Sequence, residues 1–225
     1  MELGPLRNFS TFCPRWSDTE SMGIVTTLIT GFTPFAGRQL NSSWEAIAWI
    51  NAETVMLEKL PVKWGEPTRR LSELIDRYRP NTVLSFGEGK EGLFQLETKA
   101  LNRRDQRLDE FGRLPPVELN SLAGPSERHL GADVAALQEY LVRDGYPTIV
   151  SLDAGQYLCE ETMYALEGLR VLYEEVERVY FCHLPPHGTE IELGETRTKI
   201  DARVLRDFAS RLMDFLEIEY SETKR

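Results

Sequence analysis

Gly23-Ile24-Val25-Thr26-Thr27-Leu28-Ile29-Thr30-Gly31 is an unbroken β-branched and apolar run that ends in a glycine turn. A run of this kind, with no polar alternation, reads as a strand covered on both faces. The same pattern returns at residues 82–87 and 179–184. Between these runs the period changes: Leu71, Leu74, Ile75 and Tyr78 fall at i, i+3, i+4 and i+7, the apolar stripe of a helix over residues 69–78. Working outward, strands are predicted at residues 55–62 and 147–152, and a loosely alternating extended segment at 94–101. Helices are predicted at residues 46–51 and 132–144, from Glu160 onward, and at 202–216, where Val204, Leu205, Phe208, Leu212, Phe215 and Leu216 face inward. Repeated strand–helix alternation predicts an α/β fold: a single-domain three-layer α/β/α sandwich with a mostly parallel central sheet.

The chain has 225 residues and a formal charge of −10, from 26 Lys and Arg against 36 Asp and Glu. That balance lacks the electrostatic footprint of a protein that grips nucleic acid or anionic lipid. No apolar run approaches the roughly 18 residues of a membrane span, and residues 1–21 are too broken by charge and proline to hold a secretory core. The cytoplasm is the default compartment. Residues 1–21 show no period and are expected to be a disordered N-terminal appendage to an α/β domain over 22–225, with Met22 an alternative start for a shorter chain. Three cysteines without CxxC spacing and three histidines without HExxH indicate neither a disulfide framework nor a metal site, and no cofactor is expected.

In α/β sheets, ligands bind beyond the carboxyl ends of strands, which directs attention to the loops after each run. Cys159 stands where such a loop gives way to a helix, and the positive end of the helix dipole favours its thiolate, although Glu160 and Glu161 beside it oppose that effect. A buried structural thiol is the competing reading. Cys182 alternates as an ordinary core residue of its strand, and Cys13 lies in the unpatterned N-terminus. A cysteine hydrolase needs an imidazole. His183 ends a strand, whereas His129 and His187 sit in polar segments and read as exposed. Glu97 is one carboxylate among many, and the residues alone do not single it out. Residues 103–127 form a long polar stretch, with Pro115, Pro116 and Pro125, of the kind that serves as a functional lid or binding loop.

Taken together the motifs resemble the pyroglutamyl peptidase I (pyrrolidone-carboxylate peptidase) family of cysteine peptidases. The resemblance lies in Thr30-Gly31-Phe32-Thr33-Pro34-Phe35-Ala36-Gly37, in Asn41-Ser42-Ser43-Trp44-Glu45, in Glu97-Thr98-Lys99-Ala100-Leu101-Asn102 followed by Arg107, in Ser151 through Cys159, and in the strand that ends at His183. It implies hydrolysis of the amide after an N-terminal pyroglutamate of a peptide, with Cys159 as nucleophile, His183 as acid and base, Glu97 as its orienting carboxylate, and Arg107 at the developing oxyanion. It further implies a small pocket that binds substrate through Phe32, Phe35, Asn41, Glu88, Leu108, Tyr157 and Leu158, and a homo-oligomeric state common in the family.

The chain also departs from the family. Glu88 stands where a glutamine is usual, and an ionised carboxylate accepts hydrogen bonds without donating. Ser42 replaces a proline, and Leu152 and Glu160 replace asparagines. These changes keep the triad and leave two other readings open: a related cysteine amidohydrolase with altered cap specificity, and an inactive paralogue that binds a peptide or metabolite. A nucleoside phosphorylase shares the fold type, but its phosphate-binding pattern is absent.

Overall fold

The computed structural model describes residues 25–218 and 221–222. The expectations for residues 1–21, Cys13 and Met22 lie outside the described residues. The chain opens with β1 (Thr27–Phe32), a short α1 (Ser42–Glu45), β2 (Ile50–Asn51), β3 (Val55–Leu60), α2 (Glu66–Tyr78), β4 (Thr82–Glu88), β5 (Phe94–Glu97), β6 (Lys99–Leu101) and β7 (Glu127–His129). It continues with α3 (Ala135–Arg143), β8 (Thr148–Ser151), α4 (Leu158–Leu172), β9 (Arg178–Leu184), the hairpin β10 (Glu190–Leu193) and β11 (Thr196–Lys199), α5 (Ala202–Phe215) and β12 (Ser221–Glu222).

Six strands form one sheet in the order β3-β1-β4-β9-β5-β8. Every neighbouring pair is parallel except β9 and β5. The unbroken apolar runs have the expected cause: successive residues feed opposite layers. Leu28, Val83, Val179 and Phe181 pack with Leu71, Leu74 and Ile75 of α2 and Met163 and Leu166 of α4. Ile29, Leu84, Tyr180 and Cys182 pack with Leu137 of α3 and Phe208 and Leu212 of α5. The predicted three-layer sandwich is therefore the observed one.

Helix boundaries differ from the sequence reading: α2 begins at Glu66 rather than residue 69, α3 at Ala135 rather than residue 132, and two further differences bear on the site. The helix expected at residues 46–51 lies earlier, at Ser42–Glu45, because the Asn41 side chain accepts from the Ser43 N–H and caps it there. Ile50 and Asn51 instead pair with β12. The helix expected from Glu160 starts two residues sooner, so Cys159 sits in its first turn. The extended segment expected at residues 94–101 is divided into β5 and β6, whereas β7, β10, β11 and the β2–β12 pair are not anticipated by the sequence reading.

Candidate active site

The sheet register brings the chemistry-bearing residues together. His183 lies opposite Gly87 on β4 and opposite Gln95 on β5. Because β5 runs against β9, Glu97 pairs with Phe181, two residues before His183, on the same face of the sheet. Its carboxylate reaches diagonally to the ring: Glu97 Oε1 accepts from His183 Nδ1 at 2.8 Å. Glu97 is fully buried, 0% exposed. With Nδ1 held by Glu97, the other ring nitrogen faces the thiol, and Cys159 is hydrogen bonded to the imidazole.

Burial by itself would lower the His183 pKa. The Cys159 sulfur, through its charge and its hydrogen bond, and then Glu97 outweigh burial and raise the pKa to about 10. Both neighbours thus favour the imidazolium, held between sulfur on one side and carboxylate on the other. Cys182, one residue earlier on β9, points into the opposite layer, where burial pushes its thiol well above the usual range. His129 and His187 are exposed, as expected.

Cys159 is carried into place by a turn with two left-handed residues, Gly155 (φ +84°) and Gln156 (φ +53°). Gln156 is not glycine and costs about 1–3 kcal/mol in that conformation, so something must hold it. Glu160 does so. Its carboxylate turns back to accept the Gln156 N–H at 3.2 Å and the Leu101 N–H, and burial raises its pKa ahead of the opposing effect of those two bonds. Glu161 turns the other way, accepting from the Gly65 N–H at 2.9 Å and pairing with the buried Arg104 at 3.0 Å. The two glutamates expected to oppose the thiolate are thereby spent on the scaffold around it.

A cavity of about 390 Å³ opens over the thiol, lined by Phe32, Phe35, Asn41, Glu88, Tyr157, Leu158 and Arg107 together with Cys159 and His183. Leu108 is the exception among the expected pocket residues. Its side chain is 56% exposed and away from the lining, and its contribution is a backbone carbonyl that accepts the Tyr157 hydroxyl at 2.9 Å. Asn41 lines the wall while its side chain bonds the scaffold, donating to Thr33 O at 3.0 Å and accepting from Ser43. Arg107 lies with its guanidinium 4.4 Å from the Tyr157 ring centroid. The long stretch that carries Arg107 is without regular structure, but it is pinned rather than loose. Asp109 accepts the N–H groups of Trp64, Phe111 and Arg113, and Asn102 and Ser121 bond each other.

Sequence reading missed four contributors. Trp64 stands edge-on to Tyr157 at 5.2 Å and donates its indole N–H to Arg107 O. Arg38 pairs with Glu88, whose other oxygen accepts from the N–H and hydroxyl of Ser42, each at 3.1 Å. Gly87 and Gln95 flank the imidazole. Only Gln95 left a trace in the sequence, standing two residues before Glu97 on a strand of period two.

No helix among the described residues is long and apolar enough to cross a membrane. A thiol paired with a buried imidazole that a carboxylate orients, beside an apolar cavity, defines a cysteine hydrolase. Comparison with known proteins narrows the class. The pyroglutamyl peptidase family profile matches residues 25–196, and the chain belongs to that family. It is 32% identical over 167 residues to the pyrrolidone-carboxylate peptidase of Chromobacterium violaceum, covering 71% of this chain and 77% of that one. It is 30% identical over 165 residues to that of Yersinia pestis, covering 70% and 77%. Among solved structures, pyroglutamyl peptidase I from Bacillus amyloliquefaciens aligns with a TM-score of 0.73 at 22% identity over 88% of this chain and 98% of that one. The pyrrolidone carboxyl peptidase of Thermococcus litoralis aligns at 0.70 and 24% over the same shares. Identity at this level shows a shared fold.

Proposed function

We propose that this chain removes an N-terminal pyroglutamyl residue from peptides, and the observation that carries the reading is the Cys159–His183–Glu97 row beside a mostly apolar cavity. The thiolate of Cys159 attacks the pyroglutamyl carbonyl carbon, forming the C–S bond and placing the electron pair on oxygen. That oxyanion meets the N–H of Cys159, which in the first helical turn has no carbonyl four residues back, and the guanidinium of Arg107. Collapse expels the peptide amine, which takes its proton from Nε2 of His183. Water, deprotonated by the same nitrogen, then hydrolyses the thioester and releases pyroglutamate.

The pocket chemistry supports the choice of cap. Phe32, Phe35, Tyr157 and Leu158 offer apolar walls to an uncharged five-membered ring. A lactam also presents an N–H and a C=O side by side on one edge. The Glu88 carboxylate, 3% exposed, and the Arg38 guanidinium set an acceptor beside a donor and complement that edge.

The test is a three-substrate assay. A fluorogenic pyroglutamyl amide should be cleaved, while the uncapped glutamine amide, which lacks the ring, and the proline amide, which lacks the lactam carbonyl, should be slower by at least about 10²-fold. Equal turnover of the proline amide would remove the lactam from the reading, and cleavage of none would remove the peptidase. For Arg107, substitution by alanine should lower kcat by about 10²-fold with little change in KM, as for loss of one oxyanion donor. An unchanged kcat would assign the residue to the loop alone.

A further inference from the structure

We propose that Gln95 is a positioning residue of the triad, acting through Glu97; the inference rests on reading Cys159, His183 and Glu97 as the catalytic groups. The antiparallel register places Gln95 directly opposite His183, and Glu97 follows two residues on, on the same face. Ser151 lies opposite Glu97 from the other side, on β8. Gln95 is 2% exposed and adjoins the cavity.

Its amide is committed at both ends. Nε2 donates to Glu97 Oε1 at 3.3 Å and to Ser151 Oγ at 3.4 Å, and Oε1 accepts the Lys90 N–H at 3.5 Å. A backbone N–H can only donate, so the amide oxygen must face Lys90 and the NH₂ must face the carboxylate. Ser151 Oγ in turn accepts the Asp153 N–H at 3.2 Å. The loops after β4 and β8, both walls of the cavity, therefore meet at this one amide.

The carboxylate has few other holds. Oε1 receives His183 and Gln95, while the buried Oε2 has no hydrogen-bond partner. Gln95 is the donor whose direction is set from outside the triad, and it keeps Oε1 turned toward His183. A neutral donor suits the place: a cation there would compete with the imidazolium for Glu97, and a second carboxylate would repel it. The charged groups facing His183 are the Cys159 sulfur from α4 and Glu97 from β5, and Glu160, the next charge on α4, is coupled to Glu97.

The experiment reads the thiolate–imidazolium pair without any substrate, so it stands or falls apart from the pyroglutamyl reading. Alkylation of Cys159 by iodoacetamide is followed by peptide mass spectrometry across pH in the full chain, in Gln95→Met, in Glu97→Ala and in the double variant, with melting curves for each. Gln95→Met should slow alkylation at neutral pH about tenfold, as for loss of a hydrogen bond to a charged group, and shift the acid limb of the profile upward. In the Glu97→Ala background the same substitution should change the rate by less than about twofold. An unchanged profile, or the same tenfold loss with Glu97 already gone, would overturn the proposal, because the latter is the signature of a packing defect. Should Gln95→Met not fold, Gln95→Ala carries the same comparison.

Discussion

Replacing Cys159 by alanine is expected to lower kcat for a pyroglutamyl amide by at least about 10⁴-fold while the chain stays folded. The sulfur supplies the only bond to the substrate in the proposed mechanism, so its loss removes the acyl-enzyme route. Structure is spared because Cys159 is only partly buried and the turn before it is held by Glu160, Asp105 and Leu101 rather than by the thiol. The variant should also change His183. Sulfur leads the influences that raise its pKa to about 10, so without it the ring should titrate closer to the ordinary 6.5. The sign for stability follows. A raised folded-state pKa adds stability that is complete below about 6.5 and is lost as pH rises through about 10. The wild type should therefore lose part of its stability advantage over Cys159→Ala across that window, in denaturant titrations run at several pH values. Residual turnover in the variant within tenfold of wild type would end the mechanism.

Gly87→Ala should also damage catalysis strongly, by about 10²-fold, with only a modest effect on folding. A Cβ at this position would stand 2.8 Å from Cys159 Sγ, 2.8 Å from His183 Cδ2 and 3.0 Å from His183 Nε2. It would drive apart the two atoms that must exchange a proton. Displacement by about 1 Å at a reacting pair costs on the order of 10²-fold in rate, and contacts this short require the thiol or the ring to shift. The overpacking itself costs about 1–3 kcal/mol, within the reserve of an ordinary domain. The measurement is kcat together with the melting midpoint. Full activity would mean that thiol and imidazole are farther apart in solution than the register of β4 and β9 places them.

The contrast between these two positions shows what was legible in the residues. Cys159 and His183 stand at the ends of patterned segments and belong to chemically unusual residue types, so a sequence reading could single out both as candidates, and the resemblance supplied their proposed roles together with Glu97 and Arg107. Gly87 looks like the glycine that ends any strand, and nothing local reveals that it borders a nucleophile. Leu108 shows the reverse failure. A family position suggested a pocket wall, but in this chain the loop around Asp109 turns that side chain outward and uses only its carbonyl.

The short helix at Ser42–Glu45 was misplaced because its start depends on one side-chain cap, Asn41, rather than on any apolar period. The main strands, by contrast, were legible because burial on two faces demands an apolar residue at nearly every position, whatever the tertiary details.

By itself, the sequence determined the layer architecture and offered Cys159 and His183 as candidates, since hydrophobic period and residue chemistry are local properties of the chain. Only the tertiary structure decided that β5 lies between β9 and β8, antiparallel to β9 and parallel to β8. That direction depends on strand pairing between distant segments, and it sets Gln95 and Glu97 beside His183, so the orientation of the imidazole, and with it the activity proposed here, is a property of the sheet rather than of any single stretch of residues.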